Sequence, residues 1–473
     1  MKNLKEEDIY EAEDSFRDKL ATVDKEGKRK WVYASKPKGR FYNARTYVSW
    51  LFFAILVVLP FIMINGRPLF MFNIVKARFI LFGQIFWPQD FFIFGITMIT
   101  FVVFIVLFTA AFGRVFCGWV CPQTIFMEMF FRKIEYWIEG DANKQRMLNN
   151  SAWTSEKIAK KSLKYGIFYL SAFFISNLFL TYIIGYQELY EIITGPVSEH
   201  IAGLSGILLF SFIFFFVYIY FREQVCTVIC PYGRLQSVLL DSNSMVVAYD
   251  YKRGEPRGKL KKGEPVNDRG DCVDCGLCVR VCPTGIDIRN GTQMECTACT
   301  ACIDACDEIM VKVDKPKGLV RYASENGILN NEKLRYTGRM KFYSIVLILL
   351  AGILTFLILS RKDISGTIMR AEGMLFQERG LDSTSNLYTV KLSNKTSADL
   401  SLNFKLENIE NGRIQIIGGS TIKIKAESQG AGSFFVILPN EVIKKRSTIL
   451  KIGIYHDNIQ VNKKSTKFLG PIK

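Results

Sequence analysis

Eight cysteines recur in a doubled register. The first run is Cys272-x2-Cys275-x2-Cys278-x3-Cys282-Pro283, and the second is Cys296-x2-Cys299-x2-Cys302-x3-Cys306. Two residues between thiolates let a tight loop wrap three corners of an iron–sulfur cube, and a distant cysteine closes the fourth. In this register the fourth cysteine of each run ligates the other cluster. The spacing therefore predicts one [4Fe–4S] cluster on Cys272, Cys275, Cys278 and Cys306, and a second on Cys296, Cys299, Cys302 and Cys282. Neither cluster is complete on one run, so the two runs must lie together. Zinc is the competing occupant, since it also takes sites of four cysteines, but the eight-cysteine register favours iron. Pro283 ends the turn after the first crossing ligand, whereas Asp307 stands there in the second run.

The chain has 473 residues, enough for two or three domains. It is 14% aromatic, with 38 Phe, and yet 22% charged, because long apolar runs alternate with basic loops. A net charge of +17 could serve nucleic acid. Positive loops beside membrane helices account for it better, so membrane lipid is an expected partner and nucleic acid is not. All 12 cysteines lie between Cys117 and Cys306. The eight in the doubled register must stay reduced, which fits the cytosolic side of a membrane. The first 45 residues are polar and basic and carry no secretory signal pattern.

In order, residues 1–45 read as a mostly flexible cytoplasmic arm, becoming ordered near the membrane. Residues 46–231 read as a four-helix membrane region, with spans at Val48–Ile64, Phe91–Phe112, Tyr165–Ile184 and about Ile201–Phe221. Pro60 falls in the first span, where neighbours can satisfy the freed carbonyl. Residues 65–90, interrupted by Arg67, Lys76 and Arg78 and closed by Trp87 and Pro88, read as a surface-lying or re-entrant segment. Residues 123–163 read as a basic amphipathic loop. Residues 232–341 are the ferredoxin-type domain. Residues 342–360 form a fifth span, long enough for a hydrocarbon core of about 30 Å. After Arg361 and Lys362, residues 361–473 turn β-rich. Tyr388–Leu392, Leu400–Leu406, Arg413–Ile417, Thr421–Ile424, Ser433–Leu438 and Thr448–Tyr455 alternate or favour strands, which predicts an immunoglobulin-like sandwich. Lys and Arg crowd 1–45, 113–163 and 222–341 and are scarce at 65–90 and 185–205. The N-terminus and ferredoxin are therefore expected in the cytoplasm and the sandwich outside.

Cys117/Cys121 and Cys226/Cys230 share the form C-x3-C-P, each just past the cytoplasmic end of an apolar run. The recurrence points to a repeated helix hairpin. On a helix, residues i and i+4 share a face, so each pair would present two thiols together. Three uses stay open: redox or soft-metal thiols suited to Cu(I), a further iron–sulfur cluster, or buried structural cysteines. Met127 and Met129 are expected to pack. Glu128 and Glu135 are expected to be solvated or interfacial. The run Arg253-Gly-Glu-Pro-Arg257-Gly-Lys259 reads as a turn-rich basic loop near anionic headgroups. His200 and His456 are the only histidines, and both fall on the outer side by this topology, which argues against an intramembrane bis-histidine haem. No dinucleotide or P-loop fingerprint occurs.

Arg114-Val-Phe-Cys-Gly-Trp-Val-Cys-Pro-Gln-Thr124 and Arg222-Glu-Gln-Val-Cys…Cys-Pro-Tyr232 resemble two hallmarks of the cytochrome c oxidase accessory proteins, membrane ferredoxins linked to cbb3-type oxidase assembly. Tyr249-Asp…Arg253-Gly-Glu-Pro-Arg-Gly258, Asp274-Cys-Gly-Leu-Cys278…Cys282-Pro-Thr-Gly-Ile-Asp287 and Ala301-Cys-Ile-Asp-Ala-Cys-Asp307 match further blocks. The likeness runs from about residue 31 to the end. Phe116 stands where the family often has Trp, and Val120 where Ala is common; neither change removes a thiol. The resemblance implies a cupric reductase of the bacterial inner membrane, with copper at Cys117, Cys121, Cys226 and Cys230. It also implies an electron donor, and as partners a cbb3-type oxidase or its copper-delivery proteins. The alternatives are an electron-transfer subunit between quinol and another membrane redox enzyme, or an assembly scaffold with structural clusters.

Overall fold

The computed structural model describes residues 21–471, except 24–25, 65, 75–77, 82, 87–90, 260–268, 333–334, 361–363, 372, 374, 381, 397 and 444. The first 20 residues of the basic arm, Lys76, Trp87, Pro88, Arg361 and Lys362 thus lie outside the described residues. The chain forms two compact units, Met1–Leu354 and Thr355–Lys473.

Five helices among the described residues are long and apolar enough to cross a membrane: Arg40–Phe61, Phe92–Phe112, Ser155–Ile184 and Val197–Phe221 in the first unit, and Gly338–Leu359, which runs from the first unit into the second. We label α1 Arg40–Val58, α2 Phe91–Phe112, α3 Ser155–Ile184, α4 Val197–Phe216, α5 Ala301–Lys312 and α6 Gly338–Leu359. Pro60 lies in the 3-10 turn that closes the first span, where few intrahelical bonds remain to be lost. Phe342, Ile345, Ile348, Leu349 and Phe356 around α6 are all exposed, as expected of a helix that is apolar all round and meets lipid. Ser176 and Ser211 join α3 to α4 through a 2.7 Å hydroxyl contact, the kind of polar glue used where helices gain nothing from leaving water.

Several helices begin earlier than hydropathy places them. The first, third and fifth start at Arg40, Ser155 and Gly338, because a helix continues past the apolar zone wherever its polar turns find partners. The arm expected to become ordered near the membrane is packed over residues 26–39. Ser35 N–H donates to Arg280 O (2.8 Å), and Ala34 O accepts from the Tyr136 hydroxyl (3.0 Å). Among the described residues, 63–86 carry strands and no helix. They form the hairpin Met63–Ile64/Arg67–Pro68 and an antiparallel three-stranded sheet of Phe70–Asn73, Arg78–Leu81 and Gln84–Phe86. Met71, Ile80 and Ile85 make its core. The expected basic loop at 123–163 is largely helical, over Pro122–Ile138, Ala142–Asn150 and the start of α3.

The ferredoxin segment is closed by an antiparallel pair, Val246–Tyr249 with Val320–Ala323. It is docked on the start of α1. Asp304 of α5 accepts from the backbone N–H groups of Phe41 (3.1 Å) and Tyr42 (2.7 Å), capping α1 from another element. A Cβ at Gly39 would come within 2.4–2.6 Å of Asp304, so only glycine allows this approach.

The second unit is the immunoglobulin-like sandwich. Its strands are β1 Ile364–Arg370, β2 Gln377–Arg379, β3 Ser383–Asn394, β4 Leu400–Leu406, β5 Arg413–Ile416, β6 Ile422–Ile424, β7 Gln429–Pro439, β8 Ser447–His456 and β9 Ile459–Leu469. One sheet runs β5-β7-β3-β1 with β2 on β3; the other runs β6-β4-β8-β9. Alternate residues point inward, so Tyr388, Val390, Leu402, Phe434, Val436, Ile452 and Phe468 fill the space between the sheets. Strands β1, β2 and β9 add to the six expected from sequence.

Candidate functional site

Both cysteine runs bend the same way. Asp274 and Gly276 flank Cys275 with left-handed backbone (φ 48 and 65), and Ala298 and Thr300 flank Cys299 likewise (φ 53 and 64). Alternating right- and left-handed residues turn successive N–H groups into a concavity that suits anions, including iron–sulfur sites. Left-handed backbone at Ala298 and Thr300 is costly, and it recurs where a loop must wrap a cube. Cys278, Cys282, Cys296, Cys299 and Cys302 line one void, and the Cys278 thiol also feels the charges of Cys275 and Cys272 of its own run. Cys306 lies instead among the charges of Cys278, Cys272 and Cys275. The structure thus gathers the eight thiols into two sets of four, each completed by a cysteine of the other run. No three His, Cys, Asp or Glu side chains among the described residues close on a single ion. Thiols around a void suit a cube better than a lone zinc held at about 2.3 Å. Burial pushes Cys278, Cys296 and Cys306 up to about 12 and Cys282 to about 11. A positive cluster core is what such thiols need to ionise.

The two C-x3-C-P pairs also share one backbone geometry, and it is not the expected i, i+4 face of a regular helix. Cys117 lies in the short helix Val115–Trp119 and Cys226 in the wide turn Val225–Ile229. Each second cysteine closes a five-residue turn: Cys121 N–H donates to Phe116 O (2.9 Å), and Cys230 N–H to Val225 O (2.7 Å). Cys121 and Cys230 have extended ψ values of 124 and 114, because the prolines after them exclude the helical region. Pro122 and Pro231 then open the next helices at their first position, where the missing N–H costs nothing. Wide turns of this kind concentrate at functional sites.

These turns place the four thiols within reach of one another's charge. Cys117 feels the charges of Cys121 and Cys230, and Cys226 those of Cys121, Cys117 and Cys230. Burial pushes the Cys117 and Cys121 thiols up, and Cys226 to about 12. The Cys117 thiol donates to Gln236 Oε1 (3.1 Å), which also accepts from Arg114 Nε (3.0 Å). Thr124 Oγ1 stands 4.0 Å from Cys226 Sγ. Gln236 and Thr124 were not singled out by sequence. Met127 and Met129 are buried, and Met127 packs with Phe126, Phe131, Phe168 and Tyr218, in keeping with a packing role.

One junction connects the two groups of thiols. Gly118, inside the first C-x3-C-P, lies against the Thr297–Ala298 turn between Cys296 and Cys299; an added Cβ would stand 2.6 Å from both carbonyl oxygens. Arg45 of α1, buried, donates from Nε to Gly118 O (3.0 Å) and from Nη1 to Cys299 O (2.8 Å). Arg114 reaches Met294 O, and Trp119 Nε1 donates to the Tyr322 hydroxyl (3.0 Å).

Beneath the second pair lies a buried charge network that sequence reasoning missed. Glu135, expected to be solvated, is 2% exposed and accepts a two-pronged bond from Arg222 (2.6 and 2.8 Å). Glu139 pairs with Lys161 (2.8 Å) and Lys164 (2.9 Å), and Glu223 with Arg29 (3.1 Å). Glu128 pairs with Arg132 (2.9 Å). Burial alone would raise Glu135, but Arg222, Lys164 and Arg132 outweigh it and hold the carboxyl down at about 2. Lys157, Lys161 and Lys164 follow a helical stripe, which was the available signal; the acids that meet them are distant in sequence.

Known proteins align with this layout. A 4Fe-4S dicluster domain matches residues 221–325, a 4Fe-4S binding domain matches 94–144, and the IG-like fold at the C-terminal of FixG matches 354–471. The chain is 31% identical to protein RdxA of Cereibacter sphaeroides, over 85% of this chain and 87% of that one. It is 34% identical to RdxB of the same organism over 66% and 65% of the two chains. It is 35% identical to the nitrogen fixation protein FixG of Rhizobium meliloti over 66% and 60%. A crystal structure of a FixG-related protein from Vibrio parahaemolyticus aligns over 24% of this chain and 100% of that one, at 15% identity and a TM-score of 0.21, a likeness too slight to bear on the fold.

Proposed function

This chain belongs to the FixG/RdxA-type family, and from that premise we propose that it is a membrane-bound cupric reductase. Iron–sulfur electron transfer at a membrane is common ground with its relatives; reduction of Cu(II) to Cu(I) for the copper centre of a cbb3-type cytochrome c oxidase is the finer reading. Cys272, Cys275, Cys278 and Cys306 hold one [4Fe–4S] cluster, and Cys282, Cys296, Cys299 and Cys302 the other. When bound, these clusters supply one-electron carriers. Cys117, Cys121, Cys226 and Cys230 hold copper. Each Cu(II) takes one electron, and thiolates favour the softer Cu(I). The protons on the four thiols leave as the metal enters.

The observation that carries this reading is the junction at Gly118. Arg45 and the Thr297–Ala298 turn hold the loop that carries Cys296 and Cys299 against the turn that carries Cys117 and Cys121, which gives electrons from the inner set a short way to the copper thiols. The Lys/Arg distribution supports an inner-membrane protein with the N-terminus and ferredoxin in the cytoplasm and the sandwich in the periplasm. Its oxidase or copper-delivery partners would meet the copper product. The test is purified protein in lipid, given a chemical reductant and Cu(II), with Cu(I) trapped by a chelator. Wild type should produce Cu(I), and the Cys117→Ser/Cys121→Ser variant should not; equal rates would refute the copper role.

A second reading has its own support. The 4Fe-4S binding domain match at 94–144 contains only Cys117 and Cys121 as cysteines. If the four membrane-edge thiols hold a third cluster, iron will approach about twelve per chain rather than about eight.

A further inference from the structure

The two sets of cluster thiols face different surroundings. Cys299 of the inner set is buried and touches Arg45. Cys275, at the equivalent place in the outer set, is the one exposed thiol of the twelve. Around it the surface is basic. Gly258 N–H donates to Cys272 O (3.2 Å), which lays the Arg257–Lys259 loop on the outer set. Arg269 folds over that loop, its Nη1 donating to Lys259 O (2.9 Å). Arg257, Lys259 and Arg269 are all exposed. Among the described residues, Asp271 meets both Arg253 and Lys315, while Asp274 and Asp287 share the single cation Arg289, so these three acids and three bases cancel. Glu255 lies 3.9 Å from Arg257 and also accepts from the Tyr249 hydroxyl. The field in front of Cys275 is therefore positive.

We infer that the face around Cys275 receives a small, acidic, soluble one-electron carrier protein, steered by Arg257, Lys259 and Arg269. This rests on the reading that electrons run from the outer set of thiols toward Gly118 and the C-x3-C-P pairs. At each encounter one electron leaves the carrier and passes to the outer cluster. The carrier is oxidised by one electron, the cluster is reduced by one, and no bond is made or broken. Redox encounters of this kind use small interfaces and depend on charge for their rate. The inner run is the one that meets the membrane-edge turn, which leaves the Cys275 face for a soluble partner rather than for lipid headgroups.

The test follows cluster reduction alone, so copper chemistry does not enter it. Full-length cluster-loaded protein in neutral-lipid nanodiscs is mixed with flavodoxin hydroquinone as the acidic probe, and in parallel with methyl viologen and sulfonatopropyl viologen radicals. In wild type the flavodoxin rate should fall steeply with ionic strength, and the sulfonated viologen should outrun the cationic one. Arg257→Glu/Lys259→Glu/Arg269→Glu should slow flavodoxin by about tenfold or more at low salt and invert the viologen preference, with iron and sulfide unchanged. If that variant loses iron, Lys259→Glu alone, a single exposed side chain, should give the same trend at smaller size. Salt-independent wild-type rates, or unchanged rates in an iron-replete variant, would overturn the inference. Unchanged rates with lost binding to anionic vesicles would overturn it in favour of a membrane contact.

Discussion

Replacing Gly118 by alanine probes the junction without touching a thiol. The new Cβ would lie 2.6 Å from the carbonyl oxygens of Thr297 and Ala298, and ordinary contact begins at 3.4 Å, so a gap of about 0.8 Å must open. Both obstacles are backbone, and Arg45 ties Gly118 O to Cys299 O, so no side chain can rotate out of the way. Overpacking of this kind costs about 1–3 kcal/mol. That corresponds to roughly five- to 150-fold in the population of the docked arrangement. The assay is Cu(II) reduction by reconstituted protein, with iron content and reduction of the clusters by dithionite measured beside it. Gly118→Ala should keep its iron and its dithionite-reducible clusters but lose about tenfold or more in Cu(I) production. Wild-type copper reduction in a stable Gly118→Ala protein would refute the junction as the electron path.

Anaerobic analysis should find about eight irons per chain, and Cys272→Ser/Cys275→Ser should bleach one cluster while sparing the other; zinc in place of iron would contradict the ligand sets. Labelling of cysteines introduced at Gly258 and at the exposed Ala398 should find them on opposite sides of the membrane, as five spans require; both on one side would refute that topology. Glu135→Ala takes the two-pronged partner from Arg222 and leaves it, among the described acids, only Glu223, 3.5 Å away; it should cost about 3 kcal/mol, read as lost thermal stability in detergent. The folded carboxyl titrates at about 2, below its ordinary 4.5. Its contribution is therefore complete above pH 4.5 and lost as pH falls toward about 2. Acidification through that window should destabilise wild type more than Glu135→Gln, and parallel curves would show that the pair contributes nothing.

Much of the architecture was legible because it is written in local rules. Cysteine spacing pairs Cys306 with Cys272, Cys275 and Cys278, whose charges it feels. Hydropathy located five spans, though not their ends, since Asp304 extends α1 to Arg40 and the lysine stripe extends α3 to Ser155. The C-x3-C-P geometry was misread because helical spacing was carried onto a residue that directly precedes a proline. Pro122 and Pro231 hold the preceding cysteine extended, which turns an i, i+4 pair into a wide turn. The Glu135–Arg222 pair spans 87 residues, and no periodicity links such distant partners. The sheet at 70–86 was hidden by its shortness, although Gly83 (φ 72) between two apolar runs was a usable turn signal. Strand β9 could have been found from Asp457-Asn458, both left-handed as a two-residue hairpin turn demands.

The most direct test is a single-turnover experiment on full-length protein in nanodiscs. The clusters are reduced, excess reductant is removed, and Cu(II) is added anaerobically while cluster reoxidation and Cu(I) formation are followed together. The account predicts that the two progress in step in wild type. In Cys117→Ser/Cys121→Ser the clusters should stay reduced and Cu(I) should not form, with the spectrum of the ferredoxin segment intact. Cu(I) appearing at the wild-type rate in that variant would contradict the assignment of the membrane-edge thiols as the place where electrons reach copper.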